Sequence, residues 1–83
     1  MSTLSLPPLT ALIHQEKLSD GSPIWVAHCP ELDITSQGFS REEARTMLQE
    51  AIKGFLEVAS VDEVEARLAE GYTPTLEQLK VAA

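Results

Sequence analysis

A polar stretch ends at the Pro7–Pro8 pair, and the first regular pattern begins at Leu9. Over residues 9–17, Leu9, Ala11 and Ile13 alternate with Thr10 and His14, a two-residue period that predicts a strand. Leu12 interrupts the alternation, so the outer face is expected to be partly covered. Ser19-Asp20-Gly21-Ser22 follows as a turn cluster, and Asp-Gly is hairpin chemistry because both residues tolerate positive φ. The run Pro23 to Cys29 puts Ile24, Val26 and His28 on one side and Trp25, Ala27 and Cys29 on the other. Apolar residues on both faces mark it as the middle strand of a sheet. Pro30 has no N–H to give to a ladder and is expected to stop it. Leu32 to Gln37 reads as a short third strand with Ile34 and Ser36 on one face, broken by Gly38.

Beyond Gly38 the period changes from strand-like to helical. Ser40 followed by Glu43 has the spacing of a capping box, and Glu42 and Glu43 suit the positive end of a helix dipole. Ala44, Met47, Leu48, Ala51, Ile52, Phe55, Leu56 and Ala59 then keep helical spacing, with Arg45, Gln49, Glu50, Lys53 and Glu57 opposite them. The stripe belongs against the sheet, so Leu48 and Ile52 are expected to be almost fully buried. Ser60 and Glu63 repeat the capping spacing ahead of a second helix, about Val61 to Ala69, with Gly71 placed for a left-handed C-terminal cap. Leu76 to Val81 fits one helical turn or a short strand equally well. The expected fold is α+β: a three-stranded antiparallel sheet under one long amphipathic helix, with a short C-terminal helix. Residues 1–8 are read as a flexible leader and 9–83 as one domain.

Size and charge narrow the partners. A chain of 83 residues builds one modest core, and its sheet has two open edges, so a homo-oligomer is expected, with residues 60–83 contributing contacts. Thirteen acidic residues against six basic ones give a net charge of −7, which repels the phosphates of nucleic acid and of anionic lipid. Lys17, Arg41, Arg45, Lys53, Arg67 and Lys80 form no basic stripe, so neither nucleic acid nor membrane is an expected partner. No basic-then-apolar leader and no apolar run of about 18 residues is present, and a cytoplasmic location is expected.

Candidate chemistry is thin. Cys29 is the only cysteine, which excludes an internal disulfide and a thiolate metal site. Its neighbour His28 points to the opposite strand face and cannot serve as its base, so a buried structural thiol is expected. His14 and His28 could meet across the hairpin, yet no carboxylate stands at motif spacing to complete a metal site, and strand histidines are more often packing residues. Asp20, Glu31 and Asp33 could in principle hold magnesium, but carboxylates at turns usually cap backbone groups. The glycines are too dispersed for a phosphate loop. No catalytic site, metal or cofactor is expected.

Ile24-Trp25-Val26-Ala27-His28-Cys29-Pro30-Glu31-Leu32, then Gly38, then Ser40-Arg41-Glu42-Glu43-Ala44, resembles the HicB antitoxin family over about residues 10–58. The shared pattern is an aromatic-centred strand, a Pro-Glu-Leu step, a third strand ending near glycine, and a capped helix opening on Glu-Glu-Ala. The resemblance implies a degraded ribonuclease-H-like fold without nuclease residues. It also implies a non-catalytic antitoxin that neutralises a small basic, messenger-RNA-cleaving toxin of the HicA type by direct contact. A basic toxin would be met by acidic groups, and Glu42, Glu50 and Glu57 on the outer helix face, with Glu31 and Asp33 at the sheet end, are the candidate partner-binding residues. The alternative is a stand-alone homo-oligomeric module of this fold, a scaffold or small-ligand binder without a toxin.

Overall fold

The computed structural model describes residues 6–82. Its elements follow in the order β1 (Leu12–Lys17), β2 (Pro23–Cys29), β3 (Ile34–Gly38), α1 (Arg41–Val58) and α2 (Val61–Glu70). The strands form one antiparallel sheet in the order β1-β2-β3, an α+β architecture with β2 in the middle. Of the leader expected over 1–8, residues 1–5 lie outside the described residues, and Leu6 to Pro8 are exposed.

Pro30 explains where two of the strands stop. Leu12 pairs with His28, so continuing the ladder would set Thr10 opposite Pro30, which has no N–H to donate. The strand expected from Leu9 therefore begins only at Leu12. Pro30 to Asp33 forms a turn, and Asp33 takes φ 54°, a left-handed conformation that aspartate tolerates. Leu32 is consequently part of the turn, fully buried, and β3 starts two residues later than its sequence pattern predicts.

Both helix starts are as the sequence predicts. The Glu43 N–H donates to Ser40 Oγ at 3.0 Å, and the Glu63 N–H donates to Ser60 Oγ at 3.1 Å. In α1 the reciprocal bond reaches one residue further back, from the Phe39 N–H to Glu43 Oε1 at 3.0 Å. The two helices are separated by Ala59 and Ser60 alone.

The core lies between α1 and the face of β2 that carries Ala27 and Cys29. These two residues, with Leu32, Ala44, Leu48 and Val64, form one buried cluster. Ile34, Phe55 and Leu68 close it from the sides. Small side chains at 27, 29 and 44 let the helix come close to the sheet. Ile52 is only half-buried, against the expectation from its place on the stripe, because α1 lies over β3 and β2 and barely reaches β1. Val64 brings α2 into the same core. Arg67 adds a second tie: its Nη1 donates to the carbonyls of Leu32 and Asp33, both at 3.2 Å, and its guanidinium lies 5.1 Å from the Phe55 ring centre.

Gly71 ends α2 but not in the expected way. Its φ is −75°, so no left-handed cap forms. Glycine is needed because a Cβ there would run into the carbonyl oxygen of Glu31. The Tyr72 N–H then donates to the Pro30 carbonyl at 3.2 Å, anchoring the chain beside the same turn. From Gly71 to Ala82 there is neither helix nor strand, so Leu76 to Val81 adopts neither of the forms its sequence allows.

Candidate protein-binding surfaces

Glu31, one of the five carboxylates expected to face a partner, turns inward. It is 2% exposed, with Thr10 N–H donating to Oε1 at 2.9 Å and Thr10 Oγ1 donating to Oε2 at 2.7 Å. The acid thus accepts the Thr10 N–H beyond the end of the ladder, where the Pro30 carbonyl is taken by Tyr72, and it ties Thr10 to the β2–β3 turn. Burial works against the charged form, but the bonds from Thr10 outweigh it and leave the carboxyl below its ordinary value of 4.5. Asp20 behaves similarly in the hairpin, accepting from the Ser22 N–H at 2.9 Å. Capping is therefore the role of both turn carboxylates, and Glu31 is a structural residue rather than a contact residue.

A pH dependence follows from this bond pair. A group whose folded value is depressed adds stability above its unfolded value, and that stability is lost as pH falls through the folded value. Thr10→Val is expected to cost about 1.5–3 kcal/mol at neutral pH, because it withdraws a hydrogen bond from a buried carboxylate. The gap between variant and wild type should narrow as the pH is taken below 4.5, where Glu31 begins to take up a proton in the unfolded chain. Urea titrations of both proteins at several pH values check this, and a gap independent of pH would show that the carboxylate is not the group involved.

Glu42, Glu50 and Glu57 are exposed, and at 100° per residue they fall within about a quarter of the α1 circumference, pointing away from the core. Among the described residues none of them makes an ion pair. Asp33 is exposed in the β2–β3 turn, with a carboxylate oxygen 3.8 Å from His28 Nε2. The structure therefore sets the three helix carboxylates on one face, spread over about 22 Å of α1, while Asp33 lies in the β2–β3 turn and Glu31 is buried.

The histidines share the outer sheet face one pair apart, since Leu12 is opposite His28 and His14 is opposite Val26. Each has a separate partner: His28 Nδ1 lies 2.7 Å from Thr35 Oγ1, and His14 Nε2 lies 3.0 Å from Glu16 Oε1. Among the described residues no group of three or more His, Cys, Asp or Glu is placed to hold a metal ion. Cys29 is buried, and burial pushes its thiol up from its ordinary value, away from the reactive thiolate. No helix among the described residues is long and apolar enough to cross a membrane.

One feature had no sequence signal. An open groove of about 570 Å³ runs between α1 and residues 9–11, where the helix fails to cover the β1 side of the sheet. Leu9, Ala11, Leu48, Ile52 and Leu56 make it apolar, while Arg45, Lys53 and Glu57 border it with charge. In the sequence these residues merely continue the core stripe. Only the placement of the helix over β2 and β3 leaves one flank of that stripe uncovered.

Compared with models of protein families, with curated proteins and with solved structures, the chain finds no match in any of the three.

Proposed function

We propose that this chain is a non-catalytic binding module that captures a small basic protein on the outer face of α1, as an antitoxin of the HicB type would capture a HicA-type ribonuclease. The observation that carries the reading is the set of outward carboxylates Glu42, Glu50 and Glu57, unpaired among the described residues, on a chain of net charge −7. A protein that cleaves RNA presents cations where it meets phosphate, and an acidic helix face opposes those cations directly. The sequence resemblance over residues 10–58 points to the same partner class. The sheet-and-helix core holds the face rigid, which limits the ordering cost of contact. A cytoplasmic setting goes with this reading, since a ribonuclease toxin acts on cellular message.

The test is co-expression with the product of a basic reading frame adjoining the gene, scored by growth rescue and by association rate in vitro. Glu50→Lys combined with Glu42→Gln removes charge from the face while sparing Glu57, which also borders the groove, and spares the first turn of α1 a new positive charge. Association at low salt is expected to slow by at least about tenfold, and the difference from wild type should shrink as salt rises. Unchanged rescue and rate, or a neighbour that is not toxic, would leave the stand-alone oligomer as the function of the module.

A further inference from the structure

Two uncovered apolar features have matching dimensions. Leu76, Leu79 and Val81 are 99%, 85% and 84% exposed, on a segment that forms neither helix nor strand. The Cα radius of gyration is 15.5 Å, against about 12 Å for a compact domain of this length, so mass stands away from the core. The groove beside α1 extends from Arg45 to Glu57, about 18 Å at the helical rise. Leu76 to Val81 in extended form spans about 17 Å. The far wall, Leu9 to Ala11, runs on into β1, an edge strand whose outer backbone groups can pair with an extended segment.

We infer that the C-terminal arm of one copy lies in the α1 groove of a second copy, and that a reciprocal exchange of arms closes a two-fold dimer. Charge sets the direction. An arm running the same way as α1 places Glu77 beside Arg45, and Lys80 between Lys53 and Glu57. The chain's own arm is anchored by Tyr72 at Pro30, the end of the sheet to which the C-terminal part of α1 returns beside Leu32. It would enter its own groove from the Glu57 end, setting Glu77 between Lys53 and Glu57 and Lys80 against Arg45. Like charges thus oppose the arm folding back, and opposite charges favour exchange. Equivalent arms and grooves on both copies make the contact self-complementary, so the assembly closes rather than growing into a fibre. This surface is separate from the outward carboxylates Glu42 and Glu50, and the inference does not rest on capture of a basic protein.

Sedimentation of the full chain at tens of micromolar is expected to show a dimer. Leu76→Asp with Leu79→Asp should raise the dissociation constant at least about tenfold, with the melting of the isolated monomer unchanged because neither side chain contributes to the core. A second measurement identifies the groove. Chains carrying only Gln49→Cys are mixed with chains carrying only Gln78→Cys and oxidised, and peptide mapping is expected to find a 49–78 link, which in this mixture joins two chains. A monomer under these conditions, or a dimer indifferent to the Leu76 and Leu79 substitutions, would overturn the inference. So would a 49–78 link that forms within single chains of the double variant but not in the mixture, which would show the arm closing on its own groove.

Discussion

Leu48→Ala is expected to destabilise the protein by about 2–5 kcal/mol. Leu48 is 2% exposed and sits midway along α1 against Ala27 and Cys29. Ala27, Cys29 and Ala44 beside it are small and belong to the two backbones in closest approach, so they cannot move in to fill the space it leaves. The cost therefore includes a cavity as well as lost transfer energy. Against a total stability of about 5–15 kcal/mol for an ordinary domain, such a loss is large. Ile52→Ala is expected to cost less, since its side chain is half-buried and borders the open groove. Urea denaturation with unchanged m-values reads both quantities. A loss below about 1 kcal/mol for Leu48→Ala would contradict its place at the centre of the core.

The contrast between Leu48 and Ile52 marks how far the sequence could be read. Period and capping are local signals, and they locate α1, α2 and β2 closely: both serine caps form, and β2 runs over the residues the pattern predicts. The stripe on α1 says which residues face inward but not how the helix axis lies over the sheet. That angle decides that Leu48 is buried at the inner side of the groove while Ile52 and Leu56 stay partly exposed along it.

Glu31 is placed by a tertiary contact rather than by a local pattern. Its partner Thr10 is 21 residues away, and its burial depends on a strand pairing that brings Thr10 level with Pro30. The clue was nonetheless present in the order of residues. A proline ends the ladder of a middle strand, and a carboxylate immediately after it can accept a backbone N–H of the neighbouring strand that lies beyond the last ladder pair. Capping is one of the readings the sequence offers for Glu31, while its acidity suggests surface contact. Gly71 has the same origin, since its close approach to Glu31 is a tertiary contact that a helix-end pattern cannot distinguish from a left-handed cap. Glu42, Glu50 and Glu57 needed no such information, because helical spacing alone places them on the outer face.

Substitution of glycine by alanine is expected to have opposite signs at two positions. At Gly38 a Cβ would lie 2.6 Å from the Ala44 nitrogen and 2.9 Å from the Glu43 carbonyl carbon. Both are backbone atoms of the first turn of α1, where no rotamer change can make room. The last residue of β3 and the start of the helix are thus held backbone against backbone, and an added methyl must push the helix off the sheet. Overpacking of this kind costs about 1–3 kcal/mol. The gain from a stiffer unfolded chain, about 0.4–1 kcal/mol, opposes it without cancelling it. At Gly54 nothing lies within 4 Å of the added carbon, and the residue is exposed within α1. Gly54→Ala is therefore expected to stabilise by about 0.5–1 kcal/mol through helix propensity. Denaturation of the two variants beside wild type separates close approach from propensity. Stabilisation by Gly38→Ala would mean that the helix start can move away from β3 at little cost, and that the small residues 27, 29 and 44 do not fix its height over the sheet.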